Sequence, residues 1–388
     1  IIMPVRLSED SDAAPGDIRA FSVKTGRLVW TFHTIPHPGE TGYETFPQDA
    51  YKNTHVGGAN NWAGMSLDVE REILFVPTGS ASYDFYGAQR KGENLFANCL
   101  LALNARTGER IWHYQTIHHD LWDRDLPAPP NLITVSQNGK KIDAVAQITK
   151  HGYIFLFERE TGKPLFPIEE VQVSADALPG EQPWPTQPRP TKPLPFARHA
   201  HTLTADDINP FSPDREALQK QFKTLKKAFF APPSKEGTLM LPGFDGGAEW
   251  GGAAADKETG IMYVNSNEMP WILTMKDTPT TTEQQTLSPG QQLYTTHCSA
   301  CHRADQKGNP QSGYPSLQRI GSRMTHHQIA TLIASGKGMM PAFPQLSKLE
   351  KETLISYLLG QEKLELATSS QAKPTFALPY KSTGYNRF

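Results

Sequence analysis

The sequence predicts a mainly β protein that carries a small all-α domain in its last third. Three observations predict this: a hairpin-like segment repeats along the chain, Pro and Gly are abundant, and helix-capping signatures occur only late. The 388 residues include 32 Pro and 30 Gly, and 20% of them are charged. This mixture is typical of many short strands joined by turns.

The repeated segment consists of an alternating strand, a Thr-Gly turn and a second strand that opens on an aromatic residue. It occurs at residues 17–30, 101–112, 155–166 and 254–264. Gly supplies the positive φ that such turns need, and the aromatic residue can pack between neighbouring units. Strand repeats with one aromatic per unit favour the blades of a β-propeller. An ordinary β-sandwich with similar hairpins is the alternative.

Three further segments of this region carry local signals. Cys99 lies in an apolar alternating run, which predicts a buried position in a strand. Nine prolines between Pro164 and Pro195 predict a long loop or an edge excursion, because Pro cannot donate to a β-ladder. Ser212 is the predicted N-cap of a short helix over residues 213–225.

The pattern becomes helical from about residue 281. Capping boxes begin at Ser288, Thr325 and Ser347, and each precedes a helix-period apolar run. In the last helix, the predicted apolar stripe comprises Leu349, Leu354, Ile355 and Leu358. The predicted domains are therefore a partial propeller over residues 1–280, an all-α domain over 283–363, and a return to a propeller blade over 372–388.

A covalently bound c-type haem is predicted in the all-α domain. In Cys298-Ser-Ala-Cys301-His302, two thiols can add to the two vinyl groups of one haem, and the adjacent His then ligates the iron. A zinc knuckle would need two more ligands at matching spacing, and a redox dithiol is the other alternative.

The sixth iron ligand is expected downstream, in a polar, glycine-rich loop. Met340 is the predicted ligand and Met339 the alternative, since a thioether ligand favours electron transfer at a relatively high potential. His326 and His327 lie at a predicted helix N-terminus and are expected to face solvent.

Two polar segments upstream of this domain are candidates for the site that supplies its electrons. Residues 118–125 hold three carboxylates within six positions, a density that offers a general base and an oxygen ligand for a hard cation. A solvated acidic turn is the alternative. Lys150 precedes a Gly turn and an apolar strand, and a surface lysine is the simpler interpretation of this residue alone.

The sequence motifs around these segments resemble those of the pyrroloquinoline-quinone (PQQ) dehydrogenases, and the resemblance is closest to the membrane glucose dehydrogenase branch. The resemblance covers residues 5–275. It rests on Gly57-Gly-Ala-Asn-Asn-Trp62, Tyr114-Gln-Thr-Ile-His-His-Asp-Leu-Trp-Asp123, Gln147-Ile-Thr-Lys150 and Gly246-Gly-Ala-Glu-Trp250. It implies a partial eight-bladed β-propeller. The all-α domain interrupts the blade region, so the predicted cytochrome c domain is an insertion within the propeller, a variation on the terminal fusion that is usual in the family.

The resemblance also implies roles for individual residues. Asp123 matches the base that acts on the substrate hydroxyl and also approaches Ca²⁺. Lys150 matches the lysine that hydrogen-bonds the quinone oxygens, and Trp62 matches the indole stacked on the quinone plane. Glu249 and Trp250 are expected to approach the cofactor from another blade.

The sequence departs from the family pattern at the metal site. Alcohol-oxidising members carry Asn in the turn that corresponds to residues 78–82, where this chain offers only hydroxyls. Ser82 or Ser80 is therefore the expected weak Ca²⁺ ligand. The chain looks like a fragment, so the remaining ligands are expected upstream of Ile1.

The function implied is that of a quinohaemoprotein dehydrogenase. A sugar or alcohol, with an aldose favoured, would reduce PQQ, and the haem would pass electrons to an external cytochrome, quinone or oxidase. The implied location is the periplasm. The net charge of −2 indicates no nucleic-acid partner, and no membrane association is visible. The alternative is a non-catalytic propeller scaffold that carries an electron-transfer cytochrome.

Overall fold

The computed structural model divides into two compact units. It describes residues 1–5, 7, 9, 13–52, 55–256, 258–278, 288–308, 314–337, 340, 342–343, 346–362 and 378–387. Unit 1 comprises Ile1–Asp277 and Phe376–Phe388, and unit 2 comprises Thr278–Thr375. No helix in the described ranges combines the length and the apolar character needed to cross a bilayer.

Unit 1 consists of short antiparallel strands. Their bounds are β1 Ile2–Met3, β2 Ile18–Phe21, β3 Leu28–Phe32, β4 Ser66–Asp68, β5 Ile73–Pro77, β6 Cys99–Asn104, β7 Arg110–Gln115, β8 Asn131–Gln137, β9 Lys140–Ile148, β10 Ile154–Glu158, β11 Ile168–Gln172, β12 Thr186–Pro190, β13 Thr238–Met240, β14 Ala253–Ala255, β15 Met262–Val264, β16 Trp271–Asp277 and β17 Tyr380–Arg387.

Most strands pair with their neighbours in sequence, as in the meandering blades of a propeller. The described sheets have the orders β1-β2-β3, β4-β5-β6-β7, β10-β9-β8, β11-β12, β14-β15 and β13-β16-β17. In the last of these, β17 pairs directly with β16, so the chain returns to unit 1 beside the strand from which it left.

Tryptophans link successive hairpins. Trp30 on β3 lies against Gly108 in the turn between β6 and β7, and Trp112 on β7 lies against Gly162 in the turn after β10. A Cβ atom would lie 2.6 Å from the Trp30 ring at Gly108 and 2.5 Å from the Trp112 ring at Gly162. Each indole N–H also donates to a backbone carbonyl of the turn it covers, at 3.3 and 2.8 Å respectively. The prediction that aromatics pack between units is therefore confirmed.

The interior of unit 1 is apolar and aromatic. Cys99 begins β6 and is fully buried, as predicted. Phe75, Phe155 and Phe157 are likewise fully buried, and they pack with Trp112 in one cluster. This packing supports the loops that leave the strand ends.

Of the two predictions for the proline-rich stretch, a long loop or an edge excursion, the structure supports the second, because β11 and β12 form a two-stranded antiparallel sheet within it. In a pair of edge strands the missing Pro donors are tolerated. The helix that follows, α1, spans Arg215–Thr224, and its N-cap is Asp214 rather than Ser212.

Unit 2 contains four described α-helices. They are α2 Pro289–His297, α3 Ser299–His302, α4 His326–Ser335 and α5 Lys348–Leu358. The predicted capping boxes are complete at Thr325 and Ser347. At Ser288 the hydroxyl accepts from the Gln291 N–H, and the reciprocal partner is Glu362, which accepts the Gly290 N–H at 2.6 Å.

The core of unit 2 lies between these helices. Leu354, Ile355 and Leu358 are buried there with Tyr294. Leu349 is 76% exposed, contrary to the predicted stripe, because it lies in the first turn of α5, beyond the packed face.

Candidate functional site

A polar cavity in unit 1 gathers most of the predicted PQQ-site residues. Its volume is about 210 Å³. Its lining residues are Leu7, Glu9, Gly58, Asn60, Trp62, Ser80, Ser82, Asp84, Asp123, Asp125, Lys150 and Glu249.

The loop after β7 is shaped by a buried carboxylate. Asp120 accepts hydrogen bonds from the backbone N–H groups of Trp122 and Arg124, at 2.8 and 2.6 Å, and from the Asn98 amide at 2.9 Å. It also accepts from the Ser80 hydroxyl. With the loop held in this way, Asp123 adopts a φ of 56°. Asp120 therefore has a structural role, whereas Asp123 faces the cavity.

Lys150 lies directly after β9 and reaches the same cavity from a different sheet. Its Nζ is 3.1 Å from both carboxylate oxygens of Asp123 and 3.5 Å from Asp125. The Lys150 side chain is 7% exposed, and its Nζ lies 5.7 Å from the centroid of the Trp62 ring. The simpler interpretation of Lys150 as a surface lysine is therefore wrong, because its side chain is buried.

Trp62 is fixed by its indole. The indole N–H donates to Asp125 at 2.9 Å, and the backbone N–H of Ser80 donates to the other oxygen of that carboxylate at 2.5 Å. Gly79 makes this approach feasible, since a Cβ atom there would lie 2.5 Å from Asp125. A flat aromatic surface, a lysine and two carboxylates thus meet in one place.

Burial and the single lysine set the charge states of the cavity. Burial raises the pKa of Asp123 well above its usual range, and Lys150 only partly opposes this. Burial by itself would raise the pKa of Asp125, but Lys150 and the hydrogen bonds from Ser80 and Trp62 outweigh it and hold that pKa below the usual range. Burial lowers the pKa of Lys150, yet the carboxylates of Asp123, Asp125 and Glu249 outweigh it and raise that pKa. A base with a raised pKa beside a fixed cation suits proton transfer.

The two adjacent predicted residues Glu249 and Trp250 differ in position from each other. Glu249 lines the cavity, but Trp250 does not, and its side chain is 77% exposed. The two are neighbours in a turn where the Trp250 N–H donates to the Glu249 carboxylate at 3.2 Å. Only one of the adjacent side chains therefore faces the cavity, and the expectation for Trp250 is corrected.

The hydroxyls proposed for a metal have different partners. Both Ser80 and Ser82 line the cavity. Ser80 donates to Asp120, while Ser82 is buried and accepts the Gly57 N–H at 3.1 Å. Carboxylate and hydroxyl oxygens suit a hard cation such as Ca²⁺. In the described part of the chain, no three His, Cys, Asp or Glu side chains are arranged to hold a metal by themselves.

Asp84 is a cavity residue that the sequence analysis missed. It is 6% exposed and lies among the carboxylates of the same wall. A single Asp in a loop rich in hydroxyls and aromatics forms no recognisable motif. The only available signal was its distance of two residues from Ser82.

Unit 2 contains a second, mainly apolar cavity of about 170 Å³. Cys298, His302 and Met340 line it together with Leu, Ile and Phe side chains. The Nδ1 of His302 is 2.8 Å from the carbonyl of Pro315, so Nδ1–H donates there and Nε2 remains available to a metal. An apolar crevice with a fixed imidazole, a thiol and a thioether fits a haem.

The other predicted haem residues are only partly described. The backbone of Cys301 lies in α3, but its side chain and Met339 fall outside the described residues. His326 is exposed, as predicted, and its Nε2 lies 2.8 Å from the carboxylate of Glu352.

Comparison with known sequences identifies the family of the chain. Residues 1–326 match the family described as PQQ: Glucose/ethanol/alcohol dehydrogenase, beta-propeller domain. The quinoprotein glucose dehydrogenases of Escherichia coli (strain K12) and Gluconobacter oxydans (strain 621H) are 35% and 36% identical over 265 and 264 residues. These alignments cover 66% and 67% of this chain and 32% of each relative.

A third relative is the quinate/shikimate dehydrogenase (quinone) of Acinetobacter baylyi (strain ATCC 33305 / BD413 / ADP1). It is 34% identical over 286 residues, which are 72% of this chain and 34% of that protein. The chain thus spans about a third of the length of the curated relatives it matches. The predicted mainly β, propeller-type fold class is confirmed, and the chain belongs to the PQQ-dependent dehydrogenase family.

Proposed function

We propose that the protein oxidises a sugar or alcohol hydroxyl with PQQ and passes the electrons through a c-type haem to an external acceptor. The observation that carries the dehydrogenase proposal is the convergence of Trp62, Asp123 and Lys150 on one cavity, with Lys150 Nζ 3.1 Å from Asp123. A scaffold protein has no need of this trio, and no specific contact favours that alternative.

The residues of the cavity fit PQQ. Bound PQQ supplies an electrophilic quinone that accepts two electrons from the substrate. The Trp62 ring offers a flat apolar surface for a planar cofactor. Lys150 holds a positive charge beside that ring, where it can hydrogen-bond a quinone oxygen and stabilise negative charge.

Asp123 supplies the base. Its carboxylate faces the cavity and its pKa is raised by burial, so it can take the hydroxyl proton of the substrate. Lys150 orients this carboxylate through two contacts of 3.1 Å. Ca²⁺ is the proposed metal, held by Asp123 and Ser82, and it would neutralise part of the excess of carboxylates in the cavity.

Unit 2 is proposed to be the electron outlet. Cys298 and Cys301 would bind haem c covalently, and His302 and Met340 would ligate its iron. The support is the apolar crevice, the Pro315 contact that leaves His302 Nε2 available, and the position of Met340 in the same cavity. A periplasmic location and an external cytochrome, quinone or oxidase as acceptor complete the proposal.

The test is reconstitution of the full-length protein with PQQ and Ca²⁺ under anaerobic conditions. Glucose, other aldoses and simple alcohols are added in turn, and the haem absorption bands are followed. We expect at least one hydroxyl substrate to reduce the haem only when PQQ is present. PQQ binding without haem reduction by any substrate would contradict the proposal.

A further inference from the structure

Another cavity of unit 1 is lined by the residues that directly follow Asp123 and Lys150 in the chain. These residues are Arg124 and His151, and the rest of the lining is mostly apolar and aromatic. The volume of this cavity is about 40 Å³. One water needs about 10–15 Å³ of such space, so the cavity has room for about two or three waters.

Both side chains are buried and carry polar atoms that lack a protein partner. His151 is 1% exposed and Arg124 is 5% exposed. Within the described part of the chain, neither ring nitrogen of His151 has a hydrogen-bond partner, and the Nε of Arg124 has none. The two terminal nitrogens of Arg124 are satisfied, because they donate to the carbonyls of Gly243 and Pro242 at 3.0 and 2.6 Å. Three unsatisfied polar atoms therefore belong to residues that line one cavity, an unfavourable arrangement unless a ligand pairs with them.

The chemistry of the His151 ring selects the class of ligand. Burial, together with the charge of Arg124 and the neighbouring ring of His199, holds the pKa of His151 well below its usual range. The neutral imidazole has one N–H donor and one acceptor nitrogen. Its ligand must therefore both donate and accept hydrogen bonds. Water does both, whereas a simple anion only accepts and a metal cation would be repelled by Arg124.

The rings around His151 do not supply these hydrogen bonds. Three aromatic rings have centroids within 6.0 Å of its own, those of Tyr153, Phe155 and Phe230. They hold the imidazole in place through packing alone. The cavity is thus apolar except for the atoms that need a ligand, which is the setting in which buried waters bind to polar groups.

The backbone on either side of this cavity is tied to a third segment. The carbonyl of Lys150 accepts from the backbone N–H of Gly247 at 2.6 Å. Arg124 is tied to residues 242–243, a few positions before that glycine. A bridge from the Nε of Arg124 to the ring of His151 would join the Asp123 backbone to the Lys150 backbone by a second, shorter path.

We propose that the cavity binds a small cluster of ordered waters that bridges Arg124 to His151, and that His151 is thereby a positioning residue for the Asp123–Lys150 pair. One water accepts from the Nε–H of Arg124 and donates to the acceptor nitrogen of the ring, and another accepts from the ring N–H. The water site depends only on the cavity and its polar atoms. The positioning role rests on the proposed dehydrogenase function.

Crystallography of the wild-type protein, at a resolution that shows ordered solvent, tests the water site directly. Waters are expected about 3 Å from a ring nitrogen of His151 and from the Nε of Arg124. A second crystal is soaked in bromide, whose anomalous scattering identifies a bound anion. An anomalous peak in the cavity, or the lack of solvent density there, overturns the water assignment.

Kinetics of two variants of the full-length, reconstituted protein test the positioning role. His151→Leu removes both nitrogens at similar volume, whereas His151→Gln keeps a donor and an acceptor. His151→Leu should lower kcat about tenfold and leave KM nearly unchanged, because a small displacement of catalytic groups slows the chemical step. His151→Gln should restore most of kcat. Tyr153→Phe is the matched control, since Tyr153 packs on the same ring but does not line the cavity, and it should keep the wild-type kcat.

Two kinetic results contradict the positioning role. If His151 is merely structural, His151→Leu will lower the melting temperature while the folded variant keeps the wild-type kcat. Equal losses of kcat in His151→Leu and His151→Gln would show that the hydrogen bonds of the ring do not matter. If the wild-type protein oxidises no substrate, the proposed function fails and the positioning role with it, whereas the crystallographic result still decides the water site.

Discussion

Asp123 has the only carboxylate of its loop that is both free of backbone N–H donors in the described structure and paired with a lysine. Asp123→Asn should therefore lower turnover about 10²–10⁴-fold, because the amide cannot accept the substrate proton. PQQ binding, measured by titration of tryptophan fluorescence, should survive. Asp176→Asn is the control, since Asp176 is an exposed residue paired with Lys226. Unchanged turnover in Asp123→Asn would remove this residue from the role of base.

His113 gives unit 1 a predictable sensitivity to acid. Burial, with help from Arg110, lowers the pKa of His113 to about 4, and Arg110 donates to its Nδ1 at 3.2 Å. The folded state therefore keeps the ring neutral, whereas the unfolded chain takes up a proton below about pH 6.5. Its contribution to stability is complete above that pH and is lost as the pH falls toward 4.

In the variant His113→Gln, this acid dependence should shrink. The wild-type free energy of unfolding should fall by about 2 kcal/mol from this residue between pH 7 and pH 5. The variant should lose less over the same interval, because the amide does not titrate while still accepting from Arg110. Urea unfolding at the two pH values provides the measurement, and equal losses in both proteins would contradict the expected effect.

The site residues also differ in how visible they were in the sequence. Asp123, Lys150 and Trp62 were predicted as site residues because each lies in a distinctive sequence motif of the family. The sequence alone could not show that Lys150 is buried against Asp123, since the two lie in loops that follow strands of different sheets. Asp84 was missed, and Trp250 was misplaced, because the direction of a single loop side chain depends on long-range packing.

Among the elements, the Thr-Gly hairpins offer a matched pair of glycine substitutions. Gly26 and Gly162 both have a φ of 69°, but a Cβ atom has open space at Gly26 and meets the Trp112 ring at 2.5 Å at Gly162. Gly26→Ala should cost only the backbone strain, about 1 kcal/mol. Gly162→Ala should cost about 1–3 kcal/mol more, because the indole must move.

Thermal unfolding of the two variants tests this difference. The indole fluorescence of Gly162→Ala should also change, since Trp112 is displaced. Similar melting temperatures for Gly26→Ala and Gly162→Ala would mean that the tryptophan contact adds little to the cohesion of neighbouring hairpins.

These hairpins were predictable because their signal is local. Strand alternation, a positive-φ glycine and one aromatic occur within about a dozen residues, and the capping boxes at Thr325 and Ser347 are equally short. Two features that the sequence did not show depend on distant partners. The cap at Ser288 is completed by Glu362, some seventy residues away, and β11 finds its partner across the proline-rich stretch.

For the whole molecule, the proposed route of electrons separates two half-reactions. Replacing both Cys298 and Cys301 by Ala should prevent covalent haem attachment. Substrate should still reduce bound PQQ once, seen as a single-turnover change in its absorbance, while delivery to the external acceptor is lost. Cys99→Ala, a change at a buried strand position, is the control and should retain haem. Full steady-state turnover of the double variant would show that electrons leave by another route.

The register of β16 and β17 determines how much the chain between them, which contains unit 2, costs in entropy when the two strands pair. Asp277 is the direct cross-strand partner of Tyr380, so in polymer terms all the residues between them form one hairpin loop. The entropy of closing a loop grows only with the logarithm of its length. A chain in which a short turn joins Asp277 to Tyr380 should therefore keep this sheet. In these terms unit 2 is an insertion whose length adds little to the cost of forming this sheet.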